Sequence, residues 1–240
     1  MNNEPGPQDR SAVVAAELRK DVGGDMRMRC FGGLILAAAS SVALIAQPRP
    51  PAGRCDVPED APLAMVTGSR PAELWNSYAP AMKFAVPAGN PVGVAQREGD
   101  WTCVSHYGSG NGWMLTNRIR PISPDLHPPD NAWTGTWTPL GVQKQPRDAV
   151  TKLVISTGAT PGNLKVQGEA YWFGAVVHGE RVMHEGAVEG EAQPKENRLH
   201  VAEGGCEVHI ALIGGFLNVQ DNRQCGGMNV TFTGVWEKSR

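Results

Sequence analysis

The sequence predicts an all-β protein: a signal peptide, then a small barrel, then an approximately eight-stranded antiparallel β-barrel. Three observations carry this expectation. Glycine and proline number 29 and 19 among 240 residues, the usage of small domains with many turns. Short apolar-alternating segments separated by turn residues recur through 133–240, the pattern of antiparallel strands. Helical periodicity is confined to 12–20, in an N-terminal leader.

That leader, 1–25, carries five acidic residues: Glu4, Asp9, Glu17, Asp21 and Asp25. It suits a signal n-region poorly, and Met26 or Met28 is the expected start of translation. Arg27 and Arg29 then precede an apolar run, 30–46, that ends in small residues. Positive flank, short apolar stretch and alanine-containing exit read as a secretory signal over 26–46. The run is shorter than the ~18–20 residues of a spanning helix, so cleavage after Ala43 or Ala46 is expected, with no stable membrane span afterwards. Residues 47–54 follow as an extended segment.

Cysteine usage agrees with export. Cys30 leaves with the signal, and Cys55, Cys103, Cys206 and Cys225 remain, an even set suited to an oxidising compartment. Three pairings are possible, and the domain organisation favours Cys55–Cys103 and Cys206–Cys225. A formal net charge of −2 supplies no basic field, so nucleic acid is not an expected partner.

A proline- and aspartate-rich stretch around 123–132 is the domain boundary. Before it, 55–122 holds a short strand beginning at 91, a polar turn at 97–100, and "WTCVSHY" (101–107). Alternation places Trp101, Cys103 and Ser105 on one face and Thr102 and Val104 on the other. "GSGNG" (108–112) supplies a tight hairpin connection, "WML" (113–115) the partner strand, and "NRIRPI" (117–122) closes the module.

Gly99, Asp100, Trp101 and Val104, then Gly112, Trp113 and Met114 with the Arg-Ile-Arg tail, resemble a bacterial SH3 (SH3b) domain. "MVTGSRPAELW" (65–75) corresponds to its N-terminal portion. The resemblance covers roughly 60 residues and implies a small SH3-like barrel acting as a non-catalytic attachment module. Such modules are directed at cell-wall peptides or at protein partners.

After the linker, 133–240 shows strand-like segments at 133–139, 149–156, 164–173, 182–192, 197–202, 206–213, 216–221 and 229–236. In the last, Val230, Phe232 and Val235 face away from Thr231 and Thr233. Eight segments of this kind suggest a closed up-and-down barrel or a tight sandwich. The opening Trp133-x-Gly135-x-Trp137 and closing Gly234-x-Trp236 resemble the bookend strands of small avidin- or lipocalin-like barrels. The segment 221–236 is also similar to the tail of secreted proteobacterial proteins associated with lysozyme-inhibitor-type barrels. Both resemblances imply a binding or inhibitory barrel.

Catalytic signatures are missing. The mature cysteines are accounted for as bridges, which leaves no nucleophile. Gly108-Ser109-Gly110 lacks the spacing of a nucleophile elbow. His178, His184, His200 and His209 form no H-E-x-x-H motif, although consecutive strands could gather His184, His200 and His209. The 221–227 loop lacks the alternating acids of a calcium loop. No enzyme activity, cofactor or metal is therefore expected.

Aromatic side chains give the functional lead. Trp75, Tyr78, Trp101, Tyr107 and Trp113 fall in one small domain, where they can line a peptide or sugar groove. A domain of this size also needs aromatic rings for its core, and that reading weighs most on Trp101 and Trp113. In the barrel, Trp137, Trp172 and Phe173 are candidates to line a cavity. The expectation is a periplasmic or secreted binding protein whose first domain attaches to cell-wall peptide or an envelope protein. The alternative places activity in the barrel, as a lysozyme-type inhibitor or a carrier of small apolar ligands.

Overall fold

The computed structural model describes residues 48–76, 78–79, 82–107, 109–141, 146 and 149–239. The leader, the signal segment with Cys30, and the turn residue Gly108 lie outside them. The described chain is all-β, in two antiparallel sheets.

The first sheet contains β1 (Leu63–Val66), β2 (Ala72–Asn76), β3 (Lys83–Val86), β4 (Pro91–Glu98), β5 (Trp101–His106), β6 (Gly110–Leu115) and β7 (Ile119–Pro121). Their order is β3-β2-β6-β5-β4-β1-β7. One turn of 3-10 helix, Thr116–Arg118, joins β6 to β7.

Strand β5 alternates as its sequence predicts, but both of its faces are buried. Val104 joins Val66, Leu74, Val86, Val92 and Met114 in one core. Trp101 and Cys103 join Cys55 and Trp113 in a second. The second core exists because the chain ahead of β1 lies across the sheet's other face. A Cys55–Cys103 disulfide and a 3.0 Å hydrogen bond from Trp113 Nε1 to the Gly53 carbonyl hold it there. Alternation specifies which residues share a face; only this strap makes the second face dry.

The second sheet contains β8 (Gly135–Pro139), β9 (Lys152–Thr157), β10 (Leu164–Val177), β11 (Glu180–Ala192), β12 (Arg198–Glu203), β13 (Cys206–Ile213), β14 (Phe216–Asp221) and β15 (Gly234–Lys238). The order β11-β10-β9-β8-β15-β14-β13-β12 describes a nearly closed barrel. The first and last strands pair, Trp236 opposite Pro139 and Lys238 opposite Trp137. The seam falls between β11 and β12, where Gly190 approaches the Val201 side chain so closely that a Cβ would overlap it.

The bookend strands begin with the same local unit, an aromatic residue followed by Thr-Gly-x-Trp: 133–137 and 232–236. In each, the tryptophan indole N–H donates to the carbonyl four residues back, Trp137 to Trp133 at 2.9 Å and Trp236 to Phe232 at 3.0 Å. The central glycines, Gly135 and Gly234, have φ of 139° and 151°, a region that side chains disfavour. This turn drives both tryptophans into the barrel with their polar atoms satisfied, which a buried indole requires. Trp133, Trp137, Phe232 and Trp236 fill the barrel together with Leu153, Ile155, Val166 and Val219.

The last expected strand is shorter than its alternation suggests. Val230 and Phe232 are buried as predicted, yet the ladder begins only at Gly234. Over 231–233, Asp221 replaces the ladder: its carboxylate accepts from Thr231 Oγ1 at 2.9 Å and from the Phe232 amide. Thr233 Oγ1 in turn accepts from the Asp221 amide at 3.0 Å. The Cys206–Cys225 disulfide ties down the loop that follows β14.

The ribbon β10–β11 is longer than expected. It runs on to a two-residue turn at His178 and Gly179, with φ of 51° and 87°, the positive-φ pair of a tight hairpin. Strand β9 pairs with β10 only up to Glu169, so 170–185 extends as a two-stranded ribbon.

The two sheets pack against one another. Tyr107 lies against Gly141 and Gly234, Ile122 covers Gly214, and Arg223 pairs with Glu59 at 2.5 Å. A helical turn, Asp130–Trp133, ends the linker and delivers Trp133 to the barrel core.

Candidate functional site

Five aromatic residues of the first domain were candidates for ligand contact, and the structure divides them by environment. Trp101 and Trp113 are 5% and 1% exposed and lie in the core beneath the Cys55 strap. Their rings pack into the module's core, in line with the size argument for core aromatics. The Trp101 indole N–H is buried without a hydrogen-bond partner among the described residues, and its ring meets Trp75 edge-to-face at 6.2 Å.

Trp75 and Tyr78 provide the surface. Strand β2 ends at Asn76, whose side-chain oxygen accepts from the amides of Tyr78 at 2.8 Å and Ala79 at 2.9 Å. This side-chain-capped turn presents the Tyr78 ring to solvent, 59% exposed. The Arg54 guanidinium lies 5.1 Å from the Tyr78 ring centroid, and the Tyr78 hydroxyl donates to Asp56 at 2.9 Å. Lys83 places its ammonium 3.7 Å from the Trp75 ring centroid and 3.3 Å from Glu73. The result is a pair of aromatic rings covered by cations, each cation beside a carboxylate. Such a face offers apolar contact and both signs of charge to a zwitterionic ligand.

The Arg54 guanidinium is held even more firmly charged than usual, through its hydrogen bond with Tyr78 and the charge of Asp56. The sequence reading missed Arg54, Asp56 and Lys83. Lys83 faces Trp75 directly across β2–β3, a relation legible only once the strand register is known.

Tyr107 has a different role. It joins the two sheets and lines a cleft of about 270 Å³ with Val57, Ala61, Asn111, Asn218 and Thr233. Burial raises its phenol above the ordinary tyrosine value.

In the barrel, Trp137 is buried in the packed centre. Trp172 and Phe173 sit on the extended ribbon, where Trp172 lies 5.2 Å from the His184 ring. His184 Nδ1 donates to the Met228 carbonyl at 2.6 Å. The ribbon and the neighbouring loop expose Val176, Val177, Val182, Met183 and Met228, the last at 73%.

Strand register separates His184 from His200 and His209, the three histidines that consecutive strands were expected to be able to gather. His200 and His209 are direct cross-strand partners with rings stacked at 4.2 Å, while His184 is engaged on the ribbon. Across the outer face of β12–β13 runs a groove of about 1140 Å³, lined in part by Ile122, Leu126, Arg198, His200, His209 and Gln220. Compared with protein-family models, curated proteins and solved structures, the chain matches none.

Proposed function

We propose that this is a non-catalytic exported binding protein whose SH3b-like first domain attaches to cell-wall peptide or to an envelope protein. The two disulfides suit an oxidising compartment, and periplasm or the exterior is the proposed location. The observation that carries the reading is the Trp75–Tyr78 face. Its rings stand beside Arg54 and Lys83 on one hand and Asp56 and Glu73 on the other. Wall peptides carry free amines and carboxylates on short aliphatic side chains, and this face supplies a counterpart to each group.

The test is co-sedimentation of the 47–240 chain with purified peptidoglycan at varied salt. Saturable binding is expected, reduced at least about tenfold by Tyr78→Ala, in line with the loss of an interface hot spot. Tyr78 is exposed, so its substitution leaves the core intact. Binding that is unsaturable, or indifferent to Tyr78→Ala, overturns the reading.

A second reading has one observation in its favour. The apolar tip of the β10–β11 ribbon, with Val176, Val177 and Met183 exposed, suits insertion into a partner's cleft, as an inhibitor of lysozyme type would require. Inhibition of lysozyme by the same chain, lost in Val176→Ser with Val177→Ser, would support it. The carrier alternative fits less well, because packed side chains occupy the barrel centre.

A further inference from the structure

We infer that His200, His209 and Glu207 form a binding site for a divalent transition metal of the Zn²⁺, Ni²⁺ or Cu²⁺ class on the outer face of the barrel. The inference is independent of the wall-binding reading.

The site follows from the hairpin that joins β12 to β13. Glu203 faces Cys206 across a two-residue Gly204-Gly205 turn, and both glycines have positive φ. Counting back from such a turn brings His200 directly opposite His209. Glu207 lies two residues before His209 on the same strand and therefore on the same face. Because Glu207 pairs with Ala202, its carboxylate is the diagonal neighbour of His200.

The ligand atoms meet the distance requirement. An imidazole nitrogen from each histidine and a carboxylate oxygen of Glu207 lie within 4.8 Å of one another. Metal–ligand distances of about 2.0–2.2 Å bring such a set around one ion once the exposed side chains rotate toward it. The two rings stack, 6° apart in plane, and must tilt out of that stack for both in-plane lone pairs to point at one ion. All three side chains are exposed. Their side chains make no hydrogen bond or ion pair among the described residues, so the ring stack is the one contact that binding must rearrange.

Chemistry selects the ion class. Two imidazoles and one carboxylate match borderline transition metals, whereas Mg²⁺ and Ca²⁺ prefer all-oxygen sets. Three protein ligands also leave at least one coordination position open. Both histidines line the groove beneath the linker, so that position opens toward a space able to admit a further donor. Gln220, directly opposite His209 on β14, is the nearest side chain on that row.

The test uses the 47–240 chain without a histidine tag, stripped with chelator and titrated calorimetrically with ZnCl₂, with NiCl₂, and with MgCl₂ and CaCl₂ as hard-cation controls. One Zn²⁺ per chain is expected at micromolar affinity or tighter, with no heat from Mg²⁺ or Ca²⁺. His209→Ala and His200→Ala should each weaken Zn²⁺ by at least about tenfold, since even outer-shell changes cost that much. Glu207→Gln should weaken it measurably, and His184→Ala should leave it unchanged. Zn²⁺ should also raise the melting temperature of the parent chain but not of His209→Ala. Circular dichroism verifies the fold of each variant. The absence of micromolar Zn²⁺ binding, or binding unchanged by His200→Ala and His209→Ala, overturns the proposal.

Discussion

Trp113 donates its indole N–H to the carbonyl of Gly53, 60 residues earlier, at 3.0 Å. With the Cys55–Cys103 bridge, this bond fastens an extended N-terminal segment over the sheet and turns a second strand face into core. Trp113→Phe keeps most of the ring's packing and removes the bond. A loss of about 1 kcal/mol is expected in urea denaturation. Replacing Cys55 and Cys103 together by alanine opens a 48-residue separation and should cost about 4 kcal/mol by the chain-entropy relation. The double variant should also increase solvent access to Trp101, read by quenching of tryptophan fluorescence.

Asp221 organises the final segment of the barrel. It is 8% exposed, and its carboxylate serves Thr231, Phe232 and the Arg223 amide. Asp221→Ala strands two amides and a hydroxyl, so a loss of about 3 kcal/mol is expected, the upper range for bonds to a charged group. Hydrogen exchange should show the Phe232 amide losing protection while β9 and β10 retain theirs.

Gly186 and Gly226 form an antiparallel bridge outside the main ladders. A Cβ on Gly226 would stand 2.5 Å from the Gly186 Cα, and one on Gly186 would press on Val230. Alanine at either position must push the disulfide-bonded loop away from β11. The expected cost is about 1–3 kcal/mol, the range for overpacking, and Gly226→Ala should lower the melting temperature without changing the β signature in circular dichroism.

Burial lowers the His106 imidazole below the ordinary histidine value. Asn90 Nδ2 lies 3.4 Å from His106 Nε2, and Ser109 Oγ lies 3.2 Å from Nδ1. An amide NH₂ only donates, so Nε2 accepts and Nδ1 carries the proton of a neutral ring. The unfolded chain binds its proton more readily than the folded one. Stability from this residue is therefore complete above the unfolded value and declines as pH falls through it toward the folded value. NMR titration should place the His106 midpoint below the ordinary histidine value, and His106→Gln should flatten the pH dependence of stability in that window.

Much of the architecture was legible before any coordinates. Seven of the eight expected barrel segments coincide with observed strands to within a few residues, because one buried face imposes a period of two. The eighth departs where Asp221 satisfies backbone groups that a ladder would otherwise use. The disulfide pairing followed from the linker position, since cysteines within one small domain are the ones that meet. The candidate face was half legible. Aromatic content singled out five residues, but period alone could not distinguish rings facing solvent from rings facing a strap.

The sequence by itself determined the all-β class, the four bridging cysteines and which residues share a strand face. These depend on local period, turn chemistry and composition. Tertiary structure alone decided that the segment before Cys55 covers Trp101 and Trp113, and that Tyr107 joins the two sheets against Gly141 and Gly234. It also separated His184 from the His200–His209 pair. Those outcomes depend on register and on contacts between residues distant in the chain, which alternation along a single strand does not encode.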